Sequence, residues 1–473
     1  MTTIFRKSAV RVGVFPVRMA WRIFSRIAGA LMLPVSGTVW CLRLLRHAAD
    51  IREAEVVVVI VRSGFATSLQ GPDAVRRLYR GRKCVFITPY WNFKYNPEFN
   101  PYVSRLWHDI KVIFIPRFAW AVRYKYRVIS IPFVRGHDWM IVKLTKGVVR
   151  FFAGKDVIFK DLTEVYREAL LRGTEQKAAD GLSLPRAGSA ESRLAWKSYE
   201  HEIGYMFILK GAEKMAPLRL PDAVRGDMEN RIREAWRKAG GAGAAKHCCL
   251  YLRFEPRDSY MTKLRNGSTV EVHLAAIRLL NEAGYQVLLT GDREMEPAIR
   301  REFAGKLVDG DSIGADRELF QLFAATEADI FIGNTGGGIA PALVNGIPAL
   351  YLDWFPMYVG YPNSWYYFKT ACNKEGEMVP PKDLITKHVY DVSCSFGVLK
   401  NIASGEIRDA VACFIEDVKN PQSSDPCAYI TEMFPEDTPF RLSGARLSPA
   451  WARNHFQGLS EPSGLASVAN RNP

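Results

Sequence analysis

Apolar residues in this chain form short uninterrupted runs separated by longer amphipathic stretches, and the alternation is clearest after residue 245. The runs at 247–254, 285–292, 329–334 and 347–354 have the length of strands and little polar alternation. A stretch between them, 268–284, begins with Ser-Thr and ends with Gly, as helices do. Buried strands separated by helices of this length predict βαβ units and a parallel sheet.

The first half of the chain shows a less regular version of the same pattern. The sequence EVVVVIVRSGFATSLQGPDAVRRLYRGRKCVFITP at 55–89 predicts strand, loop, helix and strand, and 111–116 and 127–133 predict further strands. Residues 171–195 are poor in large apolar groups and predict an exposed insertion or loop. The chain is therefore expected to be an α/β protein.

The length of 473 residues suits two domains with tails. We expect a hinge at Gly240-Gly241, where a predicted helix ends. The SPAWARNHF portion of the tail predicts a short docked helix. The predicted divisions are an N-terminal segment, an acceptor-side domain, a nucleotide-sugar-binding domain and a tail, at 1–50, 51–240, 241–420 and 421–473.

Composition narrows the class of protein. Hydrophobic residues make up 48% and charged residues 24%, which is typical of a folded globular chain. The eight cysteines form no CxxC pair and no metal-ligand spacing, which indicates reduced thiols in a cytoplasmic protein. No metal site and no cofactor are expected.

More than half of the net charge of +15 lies before Asp50, where eight basic and no acidic residues occur. Residues 12–26 interleave arginines with aliphatic and aromatic groups, a pattern typical of a helix on an anionic membrane surface. The alternative is an amphipathic helix packed on the protein's own body. Because this charge sits in an apolar segment without a nucleic-acid motif, nucleic-acid binding is disfavoured. We expect a peripheral protein on the inner face of the plasma membrane.

Polar residues follow three of the predicted strands. Arg253, Asp292 and the pair Asn334-Thr335 each stand at a strand end, and ligands of open parallel sheets bind at the carboxyl ends of strands. A guanidinium, a carboxylate and a glycine-rich turn would suit a nucleotide diphosphate. The alternative is that Arg253 forms a surface ion pair, that Asp292 is a turn residue before a helix, and that the glycines allow close packing.

Three consecutive glycines, Gly336, Gly337 and Gly338, follow the strand at 329–334. Their lack of side chains has two explanations, tight strand-to-helix packing or an anion held on backbone N–H groups. The sequence TGGGIA matches neither the dinucleotide fingerprint nor the P-loop, so a dehydrogenase or NTPase is disfavoured.

Residues 250–354 resemble a little-characterised bacterial family of GT-B glycosyltransferases, and more distantly fucosyltransferases and heptosyltransferases. The resemblance rests on LYLRFEPRDSY, LRNGSTVEVHLAAIRLLNEAGYQVLLTGD and ADIFIGNTGGGIAPALVNGIPAL, in that order. It implies two Rossmann-like domains facing a cleft. Two departures from the relatives are Tyr251, where fucosyltransferases carry histidine, and the glycines, which replace a serine-rich turn.

The resemblance implies a donor site in the second domain. Arg253 matches an arginine that contacts the donor diphosphate, which also makes it a predicted catalytic residue. The implied donor-binding residues are Arg253, Arg265, Asn266, Asp292, Asn334, Thr335, Gly336, Gly337 and Gly338.

On the acceptor side, the resemblance implies a loop at Ser63, Gly64 and Phe65. An inverting transfer needs a base for the acceptor hydroxyl. The candidates are Asp73, His108, Asp109, His137 and Asp138, and the last two are the predicted catalytic pair.

Together these features predict a glycosyltransferase of polysaccharide biosynthesis. It would move a sugar, without a metal, from a nucleotide-sugar donor to a surface-glycan or lipid-linked acceptor. The alternatives are a sugar-nucleotide epimerase or hydrolase of the same fold and a non-catalytic membrane-associated assembly protein.

Overall fold

A computed structural model gives the fold. It describes residues 37–38, 40–60, 65–91, 102–117, 121–124, 127–130, 138–179, 200–211, 215–241, 245–254, 266–292, 295–355, 359–373, 375–386, 398–421, 425–434 and 438–456. The predictions for Ser63, Gly64, His137, Arg265 and residues 12–26 lie outside these ranges.

The strands run in chain order. They are β1 (Val56–Val59), β2 (Cys84–Trp91), β3 (Lys111–Arg117), β4 (Ala121–Tyr124), β5 (Arg127–Ser130), β6 (Ile158–Asp161), β7 (Lys246–Leu252), β8 (Tyr285–Gly291), β9 (Leu307–Val308), β10 (Ile330–Gly333), β11 (Ala349–Trp354), β12 (Ser364–Phe368), β13 (Thr370–Cys372), β14 (Val398–Lys400) and β15 (Arg446–Leu447).

The helices are numbered in the same way. They are α1 (Ala48–Arg52), α2 (Phe65–Leu78), α3 (Asp138–Ala153), α4 (Leu162–Ala179), α5 (Glu200–Gly211), α6 (Asp222–Lys238), α7 (Leu274–Glu282), α8 (Pro297–Glu302), α9 (Arg317–Glu327), α10 (Ala340–Asn345), α11 (Pro381–Thr386), α12 (Ser404–Lys419), α13 (Ala428–Thr431), α14 (Pro439–Ser443) and α15 (Pro449–His455).

The first sheet has four parallel strands in the order β3-β2-β1-β6. All four residues of β1 are buried, as the run of valines predicted for a strand covered on both faces. Trp40 and Leu44 belong to the core around this sheet, 3% and 0% exposed. The segment predicted to end at residue 50 is therefore part of the folded core from Trp40 onward.

One predicted strand of the first half pairs differently from the others. Lys111–Arg117 joins the first sheet beside β2. Arg127–Ser130 instead forms an antiparallel two-stranded ribbon with Ala121–Tyr124. The two segments are adjacent in the chain, so a local hairpin satisfies their backbone groups without a crossover.

The second sheet has seven strands in the order β15-β12-β11-β10-β7-β8-β9, and each strand is parallel to its neighbours. Cys249 of β7 pairs with Leu288 on one side and with Phe331 on the other. The α/β class and the parallel sheets are confirmed. The chain builds outward from β7 through β8 to β9 and then returns to β10, so the strand order reverses between β7 and β10.

The chain forms two compact units, and their boundary is not at residue 240. The first comprises 1–64, 79–99 and 107–165, and the second 65–78, 100–106 and 166–473. Helix α6 belongs to the second unit because it packs on that unit's sheet, where Gln286 Nε2 donates to the Ile232 carbonyl at 3.0 Å. The predicted boundary thus separates the strands of the two sheets but not the two units.

Two further predictions concern the surface and the tail. Residues 171–179 lie in α4, so the predicted loop at 171–195 is helical over that part, and 180–195 lie outside the described ranges. The predicted docked helix near the C-terminus is confirmed as α15. Trp451 is fully buried there, with its ring centroid 5.3 Å from that of Phe368. In the part of the chain that the structure describes, no helix is long and apolar enough to cross a bilayer.

Candidate functional site

The reversal of strand order in the second unit is where a ligand site is expected. At such a point the loops after two neighbouring strands diverge to opposite sides of the sheet and leave a crevice at its carboxyl edge. The strands concerned are β7 and β10, and the residues that follow them are Arg253 and Asn334. The structure therefore places two of the predicted site residues side by side.

A reciprocal pair of hydrogen bonds joins these two strand ends. The Arg253 backbone N–H donates to Asn334 Oδ1 at 2.8 Å, and Asn334 Nδ2 donates to the Arg253 carbonyl at 3.4 Å. Asn334 is only 2% exposed. Its amide thus positions the Arg253 loop, and the direct contact of Asn334 with the donor stays a prediction.

Gly267, which the sequence analysis did not single out, completes this junction. Its N–H donates to the Arg253 carbonyl at 3.3 Å. A Cβ at this position would lie 2.4 Å from Asn334 Nδ2, which is closer than real contacts allow.

The glycine-rich turn packs against the ring of Tyr251. A Cβ on Gly338 would lie 2.2 Å from Tyr251 Cε2, and one on Gly336 would lie 2.7 Å from Tyr251 Oη. The φ of Gly336 is 165°, which is extended backbone open to any residue, so close approach is the reason for glycine there. Of the two explanations for the glycines, tight packing holds for Gly336 and Gly338.

Tyr251 fills this space as a neutral phenol. Burial raises its pKa to about 12, and the opposing influences include hydrogen bonds from the Gly338 backbone and from the Arg253 side chain. The departures from the relatives at Tyr251 and at the glycines are therefore linked, because the larger ring needs the smaller turn.

Arg253 and Thr335 present polar atoms at the same turn. The Arg253 side chain is half-buried, and its Cδ and Nη1 atoms lie 3.0 and 3.1 Å from the position of a Gly336 Cβ. The guanidinium therefore lies over the turn. The Oγ1 atom of Thr335 is buried and has no hydrogen-bond partner among the described residues. A buried hydroxyl without a partner needs an explanation, and a bound ligand is one.

The third predicted strand end lies next to Arg253. Asp292 is exposed, its Oδ2 accepts from the Phe254 N–H at 3.3 Å, and its own N–H donates to the Leu252 carbonyl at 2.9 Å. Gly291 has φ +101°, and a Cβ there would lie 2.3 Å from the Leu252 carbonyl oxygen. The three strand ends thus converge on one edge, while the contacts of these residues with a donor stay predictions.

A second polar cluster at this edge was not predicted from the sequence. Asp353 lies near the end of β11 and is 1% exposed. Its Oδ2 accepts from the N–H and Oγ of Ser268 at 3.0 and 3.1 Å, and its Oδ1 accepts from the Ile402 N–H at 2.8 Å. Its φ of 52° is left-handed, which is uncommon for a residue with a side chain.

Lys369, directly after β12, completes this second cluster. It is also 1% exposed, and its Nζ donates to the Asn266 carbonyl at 2.7 Å and to Asn401 Oδ1. Burial lowers the pKa of Lys369, and the charge of Asp353 opposes that shift. The cluster therefore fixes Asn266, a predicted donor contact, through its main chain. Lys369 follows β12 and Asp353 lies at the carboxyl end of β11, so the strand-end rule was the signal that could have found them.

The candidates for the catalytic base are in different positions. Asp73, of the second unit, is fully buried: its carboxylate accepts from Arg76 Nε at 2.7 Å, Arg77 Nε at 2.8 Å and Tyr205 Oη at 2.6 Å. A carboxylate saturated in this way is poorly suited to take a proton from a substrate.

Four of the other predicted residues lie at helix starts or strand starts. His108 and Asp109 are exposed and precede β3, at the amino edge of the first sheet, away from the edge where ligands bind. Asp138 begins α3 and Phe65 begins α2, but neither side chain is described. Among the residues that the structure does describe, no three His, Cys, Asp or Glu side chains are grouped to hold a metal ion.

Comparison with known proteins gave similarities of structure only. No protein-family model and no curated protein matches the chain. A glycosyl transferase family 9 structure from Veillonella parvula is similar over 78% of this chain and 99% of its own, at 9% identity and a TM-score of 0.39. The ADP-heptose lipopolysaccharide heptosyltransferase II of E. coli is similar over 78% and 100%, at 12% identity and a TM-score of 0.35.

A UDP-glucosyltransferase from Polygonum tinctorium is similar over 78% of this chain and 94% of its own, at 9% identity and a TM-score of 0.34. Because all three TM-scores lie below 0.5, the basis for assigning a function is the carboxyl edge of the second sheet with Arg253 at its reversal point.

Proposed function

We propose that this protein is a glycosyltransferase that binds a nucleotide-sugar donor at the carboxyl edge of the second sheet. It would transfer the sugar to a surface-glycan or lipid-linked acceptor. The observation that carries the proposal is the position of Arg253 at the reversal of strand order, with its guanidinium over the 334–338 turn. The reaction class comes from the resemblance of residues 250–354 to glycosyltransferases.

In this reaction the bond between the sugar and the donor diphosphate breaks, and the diphosphate leaves with the bonding electron pair. The acceptor oxygen forms the new bond and loses its proton to a base, for which His137 and Asp138 are the predicted residues. Arg253 would stabilise the charge that develops on the leaving diphosphate, so the proposed reaction does not need a metal. The buried Thr335 Oγ1 supports a ligand oxygen at the same turn.

The turn leaves fewer backbone donors for a diphosphate than three glycines suggest. The Gly338 backbone hydrogen bonds with the phenol of Tyr251, so that group is already engaged. The Arg253 side chain also hydrogen bonds with this phenol, but its guanidinium has several N–H donors whereas a backbone group has one. We therefore assign the main diphosphate contact to the guanidinium of Arg253.

An Arg253→Ala variant tests the assignment. We expect turnover of the donor to fall by at least about a hundredfold, because removing one preorganised donor to a developing charge has effects of that order. Thermal shift with a panel of nucleoside diphosphates identifies the base that stabilises the wild type, and this stabilisation should disappear in the variant.

A nearby arginine provides the matched control. Arg317 Nη2 donates to the Gly291 carbonyl at 2.8 Å, next to Asp292, so Arg317→Ala removes an equal charge from the same edge. Transfer at the wild-type rate by the Arg253→Ala protein would show that the assignment is wrong. Interconversion of the nucleotide sugar without an acceptor would instead identify an epimerase.

We propose further that the basic N-terminal segment binds an anionic membrane surface, where a lipid-linked acceptor would lie. The support is the sequence of residues 12–26, in which arginines alternate with apolar groups. Removing everything before Asp50 would also remove Trp40 and Leu44 from the core of the first unit. The suitable test is therefore Arg18→Glu with Arg22→Glu and Arg26→Glu in the full chain, which should weaken binding to anionic vesicles.

A further inference from the structure

The first unit exposes four large apolar side chains on two neighbouring helical segments. Leu42 and Leu45 are 56% and 45% exposed on the helical residues 40–45, and Leu144 and Phe151 are 36% and 82% exposed on α3. Scattered exposed apolar residues are ordinary on a protein surface. Four such side chains on two adjoining segments need a reason.

The two segments pack side by side. Trp40 Nε1 donates to Thr145 Oγ1 at 2.9 Å, and a Cβ on Gly37 would lie 3.2 Å from Leu144 Cδ1. The inward faces belong to one core cluster, which includes Trp40, Leu44, Ile141 and Val149. The segment 40–45 and α3 therefore form a single layer over the first sheet.

The exposed residues lie on a separate stripe of each segment. On α3, Ile141, Thr145 and Val149 recur every four residues and are buried, whereas Leu144 and Phe151 are seven residues apart. At about 100° per residue, Leu144 and Phe151 share one side of the helix, about 110° from Thr145 in the middle of the buried side. Leu42 and Leu45, three residues apart, likewise share one side. We call the surface made by Leu42, Leu45, Leu144 and Phe151 and by the basic residues of the same two segments the apolar–basic face.

Basic residues outnumber acidic residues on the two segments. Residues 40–49 and α3 contain five basic residues, Arg43, Arg46, Lys143, Lys146 and Arg150, and one acidic residue, Asp138. Arg46 and Arg150 are exposed. The nearest acid after the first segment, Asp50, contacts Lys111 Nζ at 3.1 Å and His47 Nδ1 at 3.4 Å.

The chemistry of this surface fits lipid better than protein. Aliphatic and aromatic groups beside an excess of basic residues match the boundary between acyl chains and anionic headgroups. The chain outside the described ranges points to the same occupant. Residues 1–36 contain six basic and no acidic residues and join the folded unit at Gly37, beside Leu144.

We infer that the apolar–basic face of the first unit is a membrane-docking surface for anionic phospholipid. This inference rests on the membrane association proposed above and extends it from the N-terminal segment to a folded surface. Phe151 and Leu42 enter the headgroup boundary, and Arg46 and Arg150 contact lipid phosphates. Docking through a folded surface gives the first unit one orientation toward the bilayer.

The test is co-sedimentation of the full chain with phosphatidylglycerol–phosphatidylcholine vesicles and with pure phosphatidylcholine vesicles. The Leu42→Asp/Phe151→Asp variant should bind the anionic vesicles at least about tenfold more weakly than the wild type, because two apolar side chains no longer enter the bilayer. Phe151→Trp, which keeps an interfacial aromatic group, should bind as the wild type does. Both positions are exposed, so the variants are expected to fold, and circular dichroism checks this.

Leu171→Asp is the matched control, because Leu171 is a helical leucine with the same 56% exposure as Leu42 but lies in the second unit. Its binding should equal that of the wild type.

Three outcomes would overturn the inference. They are unchanged vesicle binding by the double variant, equal weakening by Leu171→Asp, and equal wild-type binding to neutral and anionic vesicles. A double variant that binds vesicles normally but loses self-association would assign the face to protein contact. Nucleoside diphosphate binding should be the same in all these proteins, so failure here is separable from failure of the proposed transferase activity.

Discussion

Two polar clusters stand at the carboxyl edge of the second sheet, and they differ in what their side chains do. At the Arg253 cluster, backbone hydrogen bonds and an amide hold the loops together, and a half-buried guanidinium lies over the turn. At the Asp353 cluster, both carboxylate oxygens accept hydrogen bonds from this chain, and Asp353 and Lys369 are 1% exposed.

This difference indicates that the Arg253 cluster is the candidate ligand site and that the Asp353 cluster supports it structurally. A buried charge is tolerated only when its partners are supplied, and the Asp353 cluster supplies them internally. It fixes residues 266–269, which follow β7 in the chain, against the sheet. The cluster itself lies at β11 and β12, and β10 stands between these strands and β7. The Arg253 loop is held through the backbone of Arg253 and the amide of Asn334, so these bonds do not use the guanidinium of Arg253. Position at a strand end is therefore not sufficient to identify a ligand contact.

The largest expected effect is loss of stability on breaking the Asp353 cluster. Asp353→Ala leaves the buried Lys369 without the opposing charge of Asp353, and the N–H groups of Ser268 and Ile402 without their acceptor. We expect a loss of about 3–5 kcal/mol in the free energy of unfolding. Chemical denaturation measures this. Asp292→Ala, which changes an exposed aspartate at the same edge, should change stability by less than about 1 kcal/mol. Equal losses in the two variants would remove the distinction between the clusters.

An intermediate effect is expected at the turn. Gly338→Ala places a Cβ against the Tyr251 ring and should destabilise the fold by about 1–3 kcal/mol, as overpacking does. Tyr251→Leu in the same chain should restore part of this loss, because the ring is removed. Gly405→Ala, in α12 with open space around it, is the control and should not destabilise. Without any rescue by Tyr251→Leu, the ring would not be the reason for the glycine.

The smallest expected effect is a dependence of stability on pH, which we attribute to a buried histidine near Asp353. His273 is 2% exposed and burial lowers its pKa, against a hydrogen bond to the Thr269 carbonyl and the charge of Asp353. The unfolded chain then binds more protons than the folded one near pH 6, so stability falls as pH drops below the unfolded pKa of about 6.5.

The expected loss attributable to His273 is roughly 1 kcal/mol per pH unit below that value. His455, whose pKa burial also lowers, adds a loss of the same sign. A His273→Gln variant should therefore show a smaller dependence on pH than the wild type, measured by denaturation at several pH values. An unchanged slope would show that His273 does not titrate in this way.

The apolar runs predicted which segments are strands and where they end, but not how every strand pairs. The valines of β1 and the strand ends at Arg253, Asp292 and Asn334 were predicted because a parallel strand is buried on both faces and its polar residues begin where it ends. The ribbon at β4 and β5 was not, since a short apolar run does not specify which neighbour it pairs with.

The sequence alone determined the α/β class, the alternation of strands and helices from β7 to β11 and the positions at which polar residues follow those strands. These follow from local periodicity and from the rule that strands in a parallel sheet end at one edge. Only the tertiary structure decided that Tyr251 explains Gly336 and Gly338, that Asp353 and Lys369 support the site, and that Trp40 belongs to the first core. Each of these depends on which distant side chains meet, and contacts between distant residues leave no periodic pattern in the chain.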